Sequence, residues 1–239
     1  KGEGKMMSMR NKRKSKVKLY ILFLLLAVCS FIFYENKKFQ TRIENIYFQK
    51  KLAGENIEKT NIKNIFLISD EDKYILYFIN FDGNNKKIED LKSVGNINFS
   101  TPILIQKDSY GYINRKGEVV IPLEYTKATN FKDGVAIVKK GKYGVIDEKG
   151  KVLLPFEYEE IFLGEKKRVI LKKEGVYYTS NLKTAQKIDV DEITEIASGQ
   201  LFFKKGNEYG IMNIYGKFLV KSNNIGNKNF HLNSYPKIN

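Results

Sequence analysis

Three patterns of apolar and polar positions follow one another along this chain. Leu19 to Tyr34 reads LYILFLLLAVCSFIFY, sixteen residues without a charge. As a helix that run spans about 24 Å, a little short of a hydrocarbon core of roughly 30 Å. Val17 extends it and Lys18 snorkels at its edge, so residues 19–34 are expected to form a transmembrane helix. Residues 35–73 change pattern. Phe39, Ile43, Ile46, Tyr47 and Lys50 recur at spacings of three or four, one side of a short amphipathic helix that Gly54 would stop. This segment is expected to act as a partly helical stalk that packs on the first repeat. From residue 74 to 221 the pattern becomes short aliphatic or aromatic runs cut by Gly and Asx, the signature of strands and tight turns.

The strand region repeats. Tyr110 to Pro122 reads YGYINRKGEVVIP, and Tyr143 to Pro155 reads YGVIDEKGKVLLP, offset by 33 residues. Tyr209 to Val220 is a further copy, Tyr77 to Gly83 an N-terminal one, and Gly175 to Asn181 a worn one. Taking Tyr77, Gly111, Gly144, Gly175 and Gly210 as equivalent gives spacings of 34, 33, 31 and 35. Repeats of this length signal an array in which each unit buries its apolar face only against its neighbours.

Each copy carries a turn. Asn80 and Gly83, Asn114 and Gly117, Asp147 and Gly150, and Asn213 and Gly216 bracket four-residue stretches. The Asx side chain accepts local N–H bonds, and Gly at the fourth position takes positive φ. In the worn copy Asn181 is expected to replace that Gly. Pro122 and Pro155 cannot donate a ladder bond and should end their strands. A third strand, at Val135–Val138, Arg168–Leu171 and Gln200–Phe203, completes each unit. The expected fold is all-β, with tandem hairpins or three-stranded units in a β-solenoid or propeller-like array behind one helix.

These residues resemble the WG-repeat family, which is mostly bacterial. The best stretch is Lys142 to Pro155, preceded by Phe131 to Val138. Tyr110, Tyr143 and Tyr209 stand where the family usually has Trp, and Glu174 stands there in the worn copy. The resemblance covers roughly residues 74–221. It implies an all-β array with binding or adaptor roles and supplies no catalytic residues.

Charge adds a direction. The net charge is +15, of which residues 1–18 supply +7 from eight Lys/Arg and one Glu. That basic flank should stay cytoplasmic and send residues 35–239 across the inner membrane. The remaining +8 is spread where Lys and Glu interleave, so no nucleic-acid partner is expected. Lys139, Lys140, Lys142 and Tyr143 read as a solvated hairpin edge. The five residues before Met6 precede any Met, so the native start is expected at Met6, Met7 or Met9. Leu26-Ala27-Val28-Cys29 faintly resembles a lipoprotein box, but bulky Val28 departs from it, so a retained anchor is expected over cleavage or lipidation at Cys29.

Candidate chemistry is sparse. Cys29 and His231 are the only residues of their types, which leaves no disulfide and no multi-histidine metal site. Asp147 is the only carboxylate at a turn position, too few for a calcium loop. Asp147 with Glu157 could be drawn as an acid–base pair, yet no nucleophile accompanies them. No cofactor is expected. Glu124, Tyr125, Glu157 and Tyr158 recur with the repeat as a candidate binding rim, and Phe131 and Phe162 divide between packing and contact. The expected function is a non-enzymatic envelope module, anchored through residues 19–34, that binds an envelope protein or, alternatively, a cell-wall glycan. Residues 222–239 would form a cap or a tail.

Overall fold

The computed structural model describes residues 2–98, 101–197 and 200–222. His231 and the expected cap or tail beyond Ser222 lie outside the described residues. The chain divides into two compact units, Lys1–Glu71 with Leu76–Lys87, and Asp72–Ile75 with Ile88–Asn239.

The first unit is built on one helix, α1 (Gly2–Leu52). The apolar run and the expected stalk helix are therefore continuous, because nothing between Tyr34 and Leu52 breaks the helical backbone. Gly54 ends it with φ of 84°. The Gly54 N–H donates to the Lys51 carbonyl (3.1 Å) and the Glu55 N–H to that of Lys50 (3.2 Å), which satisfies two terminal acceptors in a Schellman arrangement. On the side named from the sequence, Ile43 is buried, and Tyr47 stacks on Phe66 with ring centroids 5.5 Å apart. Strands β1 (Ile57–Lys59), β2 (Ile65–Asp70), β3 (Lys73–Phe78) and β4 (Lys86–Leu91) form the first sheet in that order. It starts at Ile57, ahead of residue 74, since its first two strands carry none of the repeat's turn residues.

The second unit contains four further sheets, each a meander of consecutive strands. The second sheet is β5 (Ser93–Val94), β6 (Ile103–Gln106), β7 (Tyr110–Ile113) and β8 (Val119–Tyr125). The third is β9 (Lys127–Ala128), β10 (Val135–Lys140), β11 (Lys142–Asp147) and β12 (Val152–Tyr158). The fourth is β13 (Glu160–Leu163), β14 (Val169–Lys173), β15 (Val176–Ser180) and β16 (Ala185–Ile188). The fifth is β17 (Glu192–Ala197), β18 (Gln200–Lys205), β19 (Glu208–Asn213) and β20 (Phe218–Ser222). Repeated four-stranded antiparallel sheets of this kind are the blades or rungs of propeller and solenoid architectures. The expected three-stranded unit is corrected to four. Its missing strand is the first, which in β5 and β9 is only two residues long and too short to show alternation.

Within the second unit, successive sheets pack face to face and share cores. Ala136 and Val138 of β10 join Tyr112 and Ile121 of the second sheet, while Val135 of the same strand joins Val169 and Leu171 of the fourth. Ile170 of β14 then faces Leu201 and Phe203 of the fifth. Adjacent residues of one strand thus serve two interfaces. This is why the middle strands read as unbroken aliphatic runs, and each such side chain contributes about 1.5–3 kcal/mol by leaving water.

Candidate functional site

The Tyr-Gly motif and the Pro-x-Glu-Tyr that follows it are two halves of one device. Tyr110 pairs with Tyr125, and Tyr112 pairs with Ile121, so Gly111 faces the three residues Pro122, Leu123 and Glu124. Tyr143–Tyr158 and Val145–Leu154 enclose Gly144 in the same way. The outer strand bulges over each glycine. A Cβ on Gly111 would stand 2.8 Å from the Leu123 backbone, and one on Gly144 would stand 2.8 Å from the Phe156 ring. Pro122 and Pro155 therefore do not end their strands, as expected from their missing N–H. They sit inside the bulge of β8 and β12, outermost in their sheets, where no ladder donor is needed.

This pairing also corrects the worn copy. In the ladder to the preceding strand, Gly111 faces Ile105, Gly144 faces Val138, and Gly210 faces Phe203. The residue in that register in β15 is Tyr178, facing Leu171. Gly175 instead lies in the turn before β15, with φ of 74°. Equivalent positions are then 77, 111, 144, 178 and 210, spaced 34, 33, 34 and 32. Where Tyr178 replaces Gly, β15 and β16 pair without a register shift.

The Asx turns form as the residues demand. Asp147 Oδ1 accepts from the Lys149 and Lys151 N–H groups (both 2.9 Å), and the Gly150 N–H donates to the Asp147 carbonyl (2.9 Å). Asn114 and Asn213 accept from the same relative positions, and Gly117, Gly150 and Gly216 all have positive φ. Gly83 closes the first such turn by donating to the Asn80 carbonyl (3.1 Å). Asn181 is corrected: it holds the Asx position, accepting from Lys183 and Thr184, while Leu182 takes φ of 70°.

The candidate rim residues separate. Tyr125 and Phe131 are core residues, each less than a tenth exposed, so neither belongs to a contact rim. Burial pushes the phenols of Tyr125 and Tyr158 up, with the neighbouring carboxylates of Glu124 and Glu157 adding to it. Tyr158 and Phe162 are partly buried against the inter-sheet clusters. Glu124 reaches Lys140 of the next sheet (2.9 Å), and Glu157 reaches Lys173 of the one after (2.9 Å). Asp189 pairs in the same sense with Lys205. In the second, third and fourth sheets, one carboxylate near the end thus holds a lysine at the end of the second strand of the next. Lys139 stacks over the Tyr143 ring at 5.0 Å, so the basic hairpin is engaged within the fold.

No group of three or more His, Cys, Asp or Glu side chains gathers among the described residues. Asp147 caps the turn before β12, whereas Glu157 lies near that strand's far end, so the two are not brought together. One set of titratable groups in contact is Glu160, Lys172 and Tyr177. Lys172 donates to Glu160 (3.0 Å), and Tyr177 reaches the other oxygen (3.4 Å). Lys172 is held above its ordinary range by that carboxylate, and burial raises Tyr177. Both shifts favour the protonated resting state, the opposite of what a general base needs.

One surface was missed by the reading of motifs. Within the second unit, the Asx turns and the loops before each second strand lie at the same end of the strands. Arg115, Lys116, Lys149, Lys151, Lys183 and Lys217 are exposed there, with Lys166 and Lys167 beside them. The exposed carboxylates at that end are partly committed: Glu118 accepts from Asn114 (2.6 Å), and Asp133 accepts from the Lys166 N–H (2.7 Å). The ladder carboxylates lie at the other end. The available signal was a lysine in or just after each turn.

Sequence comparison bears on these same strands. The family described as WG containing repeat matches residues 110–142 and 143–177. Residues 110–177 are WG-like repeat sequence. Solved structures with some likeness include Hsv2 of Kluyveromyces lactis (TM-score 0.43, 8% identity, 70% of this chain and 62% of that one). Another is the extracellular domain of a one-component system, BT4673, of B. thetaiotaomicron (0.39, 9%, 72% and 29%). A streptogramin B lyase is a third (0.36, 15%, 72% and 69%). The chain thus spans less than two thirds of the Hsv2 chain. No curated protein matches it in sequence.

Proposed function

We propose that this chain is a membrane-anchored, non-enzymatic binding module of the cell envelope that presents its WG-like repeats to an acidic protein partner. The observation that carries the reading is the division of charge between the two ends of the second unit's strands. At one end the carboxylates are tied to lysines between and within sheets. At the Asx-turn end exposed lysines outnumber carboxylates, which suits steering and docking of an anionic surface. Residues 19–34 supply the anchor: α1 contains one stretch long and apolar enough to cross a membrane, and the side chains of residues 20–34 are exposed. The basic flank at residues 1–18 supports an inside N-terminus and an extracytoplasmic repeat domain.

Crosslinking in native membranes, followed by capture of the full-length chain, tests this. Discrete protein partners lost on combining Lys116→Glu, Lys149→Glu and Lys183→Glu support it, since these exposed changes leave the core intact. Capture unaffected by that triple change removes the basic end from the reading. The same basic end favours a second reading, an anionic wall glycan. Salt-sensitive sedimentation with purified cell wall, without discrete protein crosslinks, would favour that one.

A further inference from the structure

In the first unit, the part of α1 that follows the apolar run contacts residues 77–83. Phe39 packs on Phe81 with ring centroids 5.1 Å apart, and Arg42 Nη2 donates to the Gly83 carbonyl (3.0 Å). Farther along the helix, Lys50 Nζ lies 4.7 Å from the centre of the Tyr77 ring. As the sheet runs from Tyr77 to Phe81, its partner on α1 therefore moves back from Lys50 to Phe39. The Asn80–Asn85 turn points toward the apolar run.

Distances follow from the helical rise. Phe39 lies five residues past Tyr34, about 7.5 Å along the axis, and Arg42 about 12 Å. The headgroup layer on each side of a bilayer is about 5–8 Å thick. Phe81, packed on Phe39, is thus held at the outer part of the headgroup layer, and it is 57% exposed despite that contact. An exposed Phe at a turn tip is costly in water and suited to an interface. Lys37 and Lys38 are exposed on the same stretch of helix. Asp82, the carboxylate of the turn, accepts from the Asn84 N–H (3.0 Å) and the Asn84 side chain (3.2 Å).

We propose that the Asn80–Asn85 turn is a membrane-docking site, with Phe81 seated in the lipid headgroup layer and Lys37 and Lys38 against anionic headgroups. This rests on the reading of residues 19–34 as a membrane anchor. The anchor then also fixes the first sheet against the bilayer surface.

The chain has no Trp, so single substitutions report depth without background. Phe31→Trp, Phe81→Trp and Phe48→Trp, each in the full chain, are placed in nanodiscs of phosphatidylcholine and phosphatidylglycerol. Phe48 is exposed on the same helix, about 21 Å beyond Tyr34 and past the headgroups. Phe31→Trp is expected to be quenched by a nitroxide at the middle of the acyl chain. Phe81→Trp is expected to be quenched by a headgroup nitroxide several-fold more than Phe48→Trp. Phe81→Trp quenched no more than Phe48→Trp, with Phe31→Trp quenched, overturns the docking and leaves the anchor. An unquenched Phe31→Trp overturns both. Asn84→Trp, exposed at the same turn, repeats the reading should Phe81→Trp disturb the Phe39 contact.

Discussion

Gly111 and Leu123 are packed so closely that a single methyl group would not fit between them, since a Cβ on Gly111 would lie 2.8 Å from both the Leu123 Cα and its amide nitrogen. The contact is with backbone, which cannot swing aside. Gly111→Ala is therefore expected to destabilise the chain by about 1–3 kcal/mol, the usual cost of overpacking. Urea denaturation followed by circular dichroism measures it. A change below a few tenths of a kcal/mol would show that β8 bends away freely.

The inter-sheet ion pairs should matter little singly. Glu157 and Lys173 are each about two fifths exposed, so solvent screens their attraction. A double-mutant cycle on Glu157→Gln and Lys173→Met is expected to give a coupling of about 0.2–1 kcal/mol that falls with added salt. A salt-independent coupling of several kcal/mol would contradict this.

Asp189 should titrate below the ordinary carboxylate range, first because Lys205 hydrogen-bonds it and then through that lysine's charge. A depressed folded value means that its stabilisation is present above the unfolded value of about 3.9 and disappears as pH falls through the folded one. Carboxyl-carbon NMR titration should show the depression, and Lys205→Met should return the group toward 3.9.

At alkaline pH the sign reverses. Burial, its largest cause, pushes the Tyr112 phenol well above its ordinary value, and its hydroxyl donates to the Thr129 carbonyl (2.8 Å). Stability is full below about pH 10 and is lost as pH rises toward the folded value. Tyr112→Phe should soften that alkaline loss while costing about 1 kcal/mol at neutral pH through the missing bond. Denaturation midpoints from about pH 8 to about pH 12, either side of the ordinary tyrosine value, provide the comparison for both proteins.

Asp147 organises its turn through two backbone N–H groups. Asp147→Ala should cost about 1–2 kcal/mol, whereas Asp147→Asn keeps the acceptor and should be nearly neutral. Equal losses for the two would mean that the charge, not the hydrogen bonds, holds the turn.

Much of this was legible in local residue chemistry. Asn114 with Gly117, Asp147 with Gly150 and Asn213 with Gly216 announced their turns, because a four-residue turn is decided by neighbours in sequence. Residues 19–34 announced an apolar helix for the same reason. The worn copy misled because Gly175 is conspicuous, whereas the residue that truly occupies the glycine register is Tyr178. Only the pairing of β14 with β15 reveals that. Tyr125 likewise looked like a rim residue, since nothing local shows that the next sheet covers its ring.

The sequence by itself determined where the strands turn, that the strand region repeats about every 33 residues, and that a charge-free helix precedes it. Tertiary structure decided what the Tyr-Gly step is for. It also decided which carboxylate holds which lysine, and that Phe81 rests on the helix five residues past the apolar run. Turns and periodicity arise from residues adjacent along the chain. Bulge clearance, inter-sheet pairs and the seating of a helix depend on residues brought together only when sheets stack, and no local pattern encodes that distance.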